Sequence, residues 1–139
     1  VSGFSRAWAA KLLGHSWGKA EATKPAKVYL ALLTSVPTNS STGTTIEASE
    51  PTYTGHERKE VPVASIKAAE EGSPSAIKTN AELVFAACTA GSSTVTAWAL
   101  CDAATAGNVV MWGTASSTVI STTQTPPAVA AEKLAGNLE

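Results

Sequence analysis

Cys101 and Asp102 stand side by side in "TVTAWALCDAATAGNVVMWGTAS", next to a glycine-containing turn, and are the first residues whose types could do chemistry. A nucleophilic cysteine works as its thiolate, which needs a base such as histidine within hydrogen-bond reach and positive charge nearby. Asp102 has the opposite effect, because its negative charge raises a neighbouring thiol's pKa. Strand alternation also points the two side chains to opposite faces. A turn accounts for every residue instead: Asp102 accepts backbone hydrogen bonds at its start, Gly107 takes a positive φ, and Asn108 tolerates the geometry beside it. The stretch is expected to be a bend between two strands, with no catalytic role.

The other reactive residues converge no better. His15, His56, Cys88 and Cys101 show neither CxxC nor HxxxH spacing, so no metal is expected. GxGxxG, GxxxxGKS and GxSxG are absent, and no cofactor is expected. The charge run "GHERKE", residues 55 to 60, reads as a solvated strand end. Glu70 and Glu71 read as a solvated turn rather than the converging carboxylates of a glycosidase. Cys88 and Cys101 are too few for a disulfide framework and read as two small buried thiols, with one bond between neighbouring strands left open. Nothing here argues for an enzyme.

These residues must be positioned by a single domain, since the chain has 139 residues. A formal net charge of −1 with 15% charged residues gives no bulk attraction to nucleic acid or to an anionic membrane, so partners must be recognised by shape. No apolar run approaches the roughly 20 residues of a spanning helix. "VSGFSRAWAAKLLG" lacks the basic start and continuous apolar core of a signal peptide. The chain is expected to be soluble and unprocessed, apart from loss of an initiator methionine.

Phe4, Trp8 and Leu12 fall at i, i+4, i+8 and Gly14 offers a stop, which predicts an amphipathic helix over residues 3 to 14 within an N-terminal segment 1–20. Three turns are marginal alone in water, so the stripe must pack on its own domain or on a neighbouring chain. "VYLALL" has apolar residues on both faces and is placed centrally in the core. Residues 37 to 51, with only Ile46 to bury, are expected to form an exposed loop that another molecule orders. Val61, Val63 and Ile66 form the apolar side of the next segment, and "KAAEEGSPSAIKTN" is a second polar connector. Leu83, Phe85 and Ala87 alternate against Glu82, Val84 and Ala86. In "VTAWALCD", Trp98 and Leu100 share a face with Asp102, while Val95, Ala97, Ala99 and Cys101 share the other; "NVVMWGTA" resumes the alternation after the turn. One more strand is expected around Val119 and Ile120. Together these predict a mainly β fold, an antiparallel β-sandwich (jelly-roll-like) over 24–139 with one short N-terminal helix.

The order of a short helix, "PAKVYLALLTSVPT", "EPTYTGHERKEV", "KTNAELVF" and "VTAWALCDAATAGNVVMWG" resembles small structural proteins of tailed bacteriophages, head-decoration and tail-fibre-like. The matching positions are residues 28 to 37; Tyr53, Arg58 and Val61; residues 80 to 85; and residues 102 to 113. Two departures stand out: the family's hairpin has Gly-Gly where this chain has Ala106 and Gly107, and "EKLAGNLE" stops before the family's last alternating strand. The resemblance implies a non-enzymatic virion protein and leaves its place on the virion open. A compact, near-neutral, Ala- and Thr-rich chain with a long polar loop suits repeated lateral contact, so a protein decorating or cementing the capsid as a homotrimer, against the major capsid protein or another virion protein, is expected. The alternative it leaves is a tail-fibre or baseplate component. A carbohydrate-binding receptor module is a third reading, in which exposed aromatics such as Trp17 stack on sugars. Phe4, Trp8, Leu12, Trp17 and Ile46 are the candidate interaction residues.

Overall fold

The computed structural model describes residues 2–67 and 75–138. Glu70 and Glu71 lie outside the described residues. The centre is a five-stranded antiparallel sheet in the order β1-β7-β6-β2-β3, formed by β1 (Ser2–Phe4), β2 (Val28–Leu33), β3 (Lys59–Val61), β6 (Ser92–Cys101) and β7 (Val109–Ser121). Two ribbons accompany it: β4 (Ser75–Lys78) pairs with β9 (Ala135–Leu138), and β5 (Leu83–Val84) with β8 (Ala128–Val129). The fold is mainly β and antiparallel, with helices α1 (Arg6–Ser16) and α2 (Gly43–Ile46).

The two-sided apolar pattern of β2 has a direct structural counterpart. Leu30 and Leu32 enter one core cluster with Val61, Leu83, Phe85 and Leu134, where the β5–β8 ribbon covers the sheet. Ala31 and Leu33 enter a second cluster with Ile46, Ala99, Cys101 and Trp112. A strand between two apolar layers can afford no polar residue in its centre, which is why "LALL" reads as it does. The predicted hairpin is also present, with β6 pairing β7 from Cys101↔Val109 to Ser92↔Ser121.

Several expectations are corrected. Phe4 belongs to strand β1, paired to Met111, and not to the helix. Ser5 is the N-cap: its hydroxyl accepts from the Trp8 amide and donates to the Val109 carbonyl, so the helix starts at Arg6. The helix also runs through Gly14 to Ser16, where backbone bonds from Trp17, Gly18 and Lys19 close it. Residues 37 to 51 are not a bare loop. Thr42 and Thr45 form a reciprocal capping box for α2, and a 3-10 turn, Glu47–Ser49, continues it. The connector "KAAEEGSPSAIKTN" contributes β4, which pairs with β9 inside "EKLAGNLE". Val63 is 76% exposed in a 3-10 turn, and Ala87 yields its inward place to Cys88. Val95 joins the cluster on the Trp98 and Leu100 side, beyond a register shift between Val95 and Ala97 that breaks simple alternation.

Candidate functional site

The turn after β6 shows what Asp102 does. Its Oδ1 accepts from the Asn108 amide at 2.7 Å and its Oδ2 from the Asn108 side-chain amide at 2.8 Å, while the Asp102 amide donates to the Asn108 carbonyl at 3.1 Å. The carboxylate ties the two ends of the turn together. Gly107 has φ +73, and a Cβ there would lie 2.5 Å from Asp102 Oδ1, so glycine is required on both counts. Ala106 has φ +48, a conformation costly for a residue with a Cβ. Cys101 is fully buried and, like the buried Cys88, a free thiol. Burial pushes the Cys101 pKa up to about 11, with Arg58 opposing and Glu50 and Asp102 adding to the rise. A thiol in that state is a poor nucleophile.

The polar centre of the molecule lies in the run expected to be solvated. Arg58 has a side chain only 1% exposed. Its Nε and Nη2 both reach Glu50 Oε1 at 2.7 Å; Nη1 donates to the carbonyls of Ala103 at 3.1 Å and Ala106 at 2.9 Å; Nη2 donates to the carbonyl of Gly43 at 2.8 Å. The planar fork thus holds three segments at once: the start of α2, Glu50, and the β6–β7 turn. Glu47 supports the same junction, its Oε1 accepting from the Ala106 amide at 2.6 Å. The approach is close enough that a Cβ on Gly43 would sit 1.8 Å from the Ala106 oxygen, so no other residue fits at position 43.

His56 completes the cluster. Its Nε2 lies 3.2 Å from Glu50 Oε2, and its ring stands edge-on to Tyr53 with centroids 5.4 Å apart. Nε2 faces the carboxylate and is placed to donate to it; neither Nδ1 nor the Tyr53 hydroxyl has a hydrogen-bond partner among the described residues. Burial alone would raise the Glu50 pKa, yet hydrogen bonds from His56 and Arg58, with the Arg58 and His56 charges, outweigh it and hold the carboxyl below its usual range. Burial raises the Tyr53 pKa, and Cys88 adds to the rise. Chemically this is a staple: the arginine's donors are all taken and its carboxylate is locked, so the groups are committed to binding loops together. "GHERKE" concealed it because the partners are mostly backbone carbonyls remote in sequence, with the acid, Glu50, just outside the run. The usable signal was the isolated Tyr53–Arg58–Val61 spacing leading into a strand.

The candidate interaction residues are not brought together. Trp8 is 6% exposed and packs with α1 on β7, Ile46 is 3% exposed in the second core cluster, and Phe4 and Leu12 are half-buried. The stripe therefore packs on its own domain. Trp17, at 86% exposed, stands in solvent at the end of α1 with Leu13, at 62%, one turn before it. A half-open cleft of about 130 Å³ lies elsewhere, between β2 and α2, floored by Leu33 and Ile46 and edged by Ser and Thr hydroxyls.

An antiparallel β domain with an internally spent polar centre and an exposed aromatic helix end has the form of a building block, and comparison with family models places it among the structural proteins of the phage virion. The model described as podophage GP4 fiber I protein gp80 matches residues 3–136. The chain belongs to this family. A search among curated proteins found no match.

Proposed function

We propose that the chain is a subunit of the phage fibre, acting as a self-associating, non-catalytic scaffold, with a trimer as its working unit. The observation that carries this is the extent of the family match, which takes in both the helix end and the stapled β core rather than one module. The site geometry agrees. The buried Cys101 thiol and the locked Glu50–Arg58 pair serve the fold, and the exposed features are apolar contact surfaces. A domain of this length has a radius of gyration of about 14 Å, so fibre length must come from repetition or from other chains. The fibre family that the chain matches favours the fibre over the capsid surface as the place of action, and another virion protein over the major capsid protein as the neighbour.

The test is to produce particles lacking this chain. The proposal expects heads that assemble and retain DNA, with binding to host cells lost. Heads that leak DNA while still adsorbing would instead mark a capsid cement.

A further inference from the structure

The apolar surface left open at the end of α1 is rigid. Leu13 and Trp17 are four residues apart and share a helix face. The Trp17 amide donates to the Leu13 carbonyl at 3.0 Å, Gly18 to His15 at 3.0 Å, and Lys19 to Gly14 at 2.8 Å, so the indole stands on fixed backbone and not on a tail. An aromatic anchor held this way loses little further entropy on binding.

The cleft between β2 and α2 has the complementary shape and chemistry. Its floor is Leu33, Pro37 and Ile46, its wall Val36, which is 49% exposed, and its rim includes the hydroxyls of Ser41 and Thr45. At about 130 Å³, open to solvent and lined by both apolar and hydroxyl side chains, the cleft has room for one aromatic ring with a polar edge. Indole is the side chain that offers such a ring with a single N–H donor for a hydroxyl at the edge. The chain's own Trp17 does not fill the cleft, since it is 86% exposed. The helix explains why: its start is pinned beside the cleft segment, the Arg6 amide donating to the Asn39 carbonyl at 2.7 Å, and its 11 residues carry Trp17 about 16 Å away. Charge matches too. The helix and the connector after it carry Arg6, Lys11, Lys19, Lys24 and Lys27 against Glu21, whereas residues 33 to 50 have no basic residue and, with Glu50 committed to Arg58, present the half-exposed Glu47.

We propose that Trp17 of one copy seats in the cleft between β2 and α2 of the next copy, with Leu13 against Val36 and Lys19 facing Glu47. The contact joins two different surfaces, so it is head-to-tail: it closes into a ring if the rotation allows and extends as a filament if it does not. This rests on the self-association reading above and assigns the surface that carries it.

Two variants and their mixture test it in sedimentation experiments on the full chain. Trp17→Ala removes the knob and Val36→Arg blocks the cleft, both at exposed positions, so each should melt like the wild type. Each variant alone should be monomeric, with association weakened about 30-fold or more, the scale of an interfacial aromatic hot spot. Mixed in equal amounts they should form a heterodimer and nothing larger, because one intact knob and one intact cleft remain. Wild-type chains that associate while Trp17→Ala associates equally well would overturn this contact and leave self-association standing. A wild type that stays monomeric at millimolar concentration would overturn both.

Discussion

Replacing Arg58 with methionine should be among the most damaging single changes in this protein. Methionine fills part of the space but leaves Glu50, whose side chain is only 15% exposed, without its cation, and strips the carbonyls of Gly43, Ala103 and Ala106 of their donor. Breaking a buried ion pair from one side costs roughly 3–5 kcal/mol, and buried acceptors left unmade add to this unless water enters. About 4 kcal/mol is therefore expected, a large share of the roughly 5–15 kcal/mol that stabilises a typical domain. With a urea slope of about 2 kcal/mol/M, the unfolding midpoint should fall by about 2 M. Arg58→Lys keeps the charge beside Glu50 but cannot serve three loops, so it should lose about half as much. Amide exchange should show the segments around Gly43, Glu50 and Ala103 losing protection together. A midpoint shift below about 0.5 M for Arg58→Met would refute the staple.

Other outcomes follow from the same geometry. Ala106→Gly should stabilise the protein by about 1 kcal/mol in denaturant titration, since alanine is strained at φ +48, while Gly107→Ala should destabilise it. Trp8→Ala should cost about 3–5 kcal/mol because the ring is buried against the domain, whereas Trp17→Ala should leave the melting temperature unchanged. The Glu50 carboxyl has a folded pKa below its unfolded value near 4.5, so the unfolded chain binds more protons in that range; the stability it supplies is complete above that pH and is lost as pH falls through the folded pKa. Acid titration of stability should show this loss, and Arg58→Met, which removes the main charge lowering that pKa, should weaken it. Cys101 should react slowly with thiol reagents in the native protein at neutral pH, and rapid labelling there would contradict its burial.

Features set by local chemistry were legible in the sequence. The Asp102 turn follows from the side chains that favour bends, the buried β2 from its unbroken apolar run, and the buried thiols from the habits of cysteine. What was hidden depended on distant backbone. Nothing in "GHERKE" shows that Ala103, Ala106 and Gly43 present carbonyls to Arg58, and the glycine at position 43 is required only by the approach of a turn far along the chain. Residues 37 to 51 looked loop-like because polar residues dominate, yet those same Ser and Thr hydroxyls cap α2 and bond to one another. The N-terminal stripe misled in a different way. Phe4, Trp8 and Leu12 keep helical spacing across a strand, a cap and a helix, so the periodicity was real while the element was not continuous.

As proposed above, this chain builds the phage fibre. Cryo-electron microscopy of infectious virions, with the chain marked by a bound antibody fragment, tests it most directly. Marker density is expected on the fibre, repeated with the fibre's own symmetry, and none on the capsid; marker density distributed over the capsid lattice, with bare fibres, would overturn the proposal.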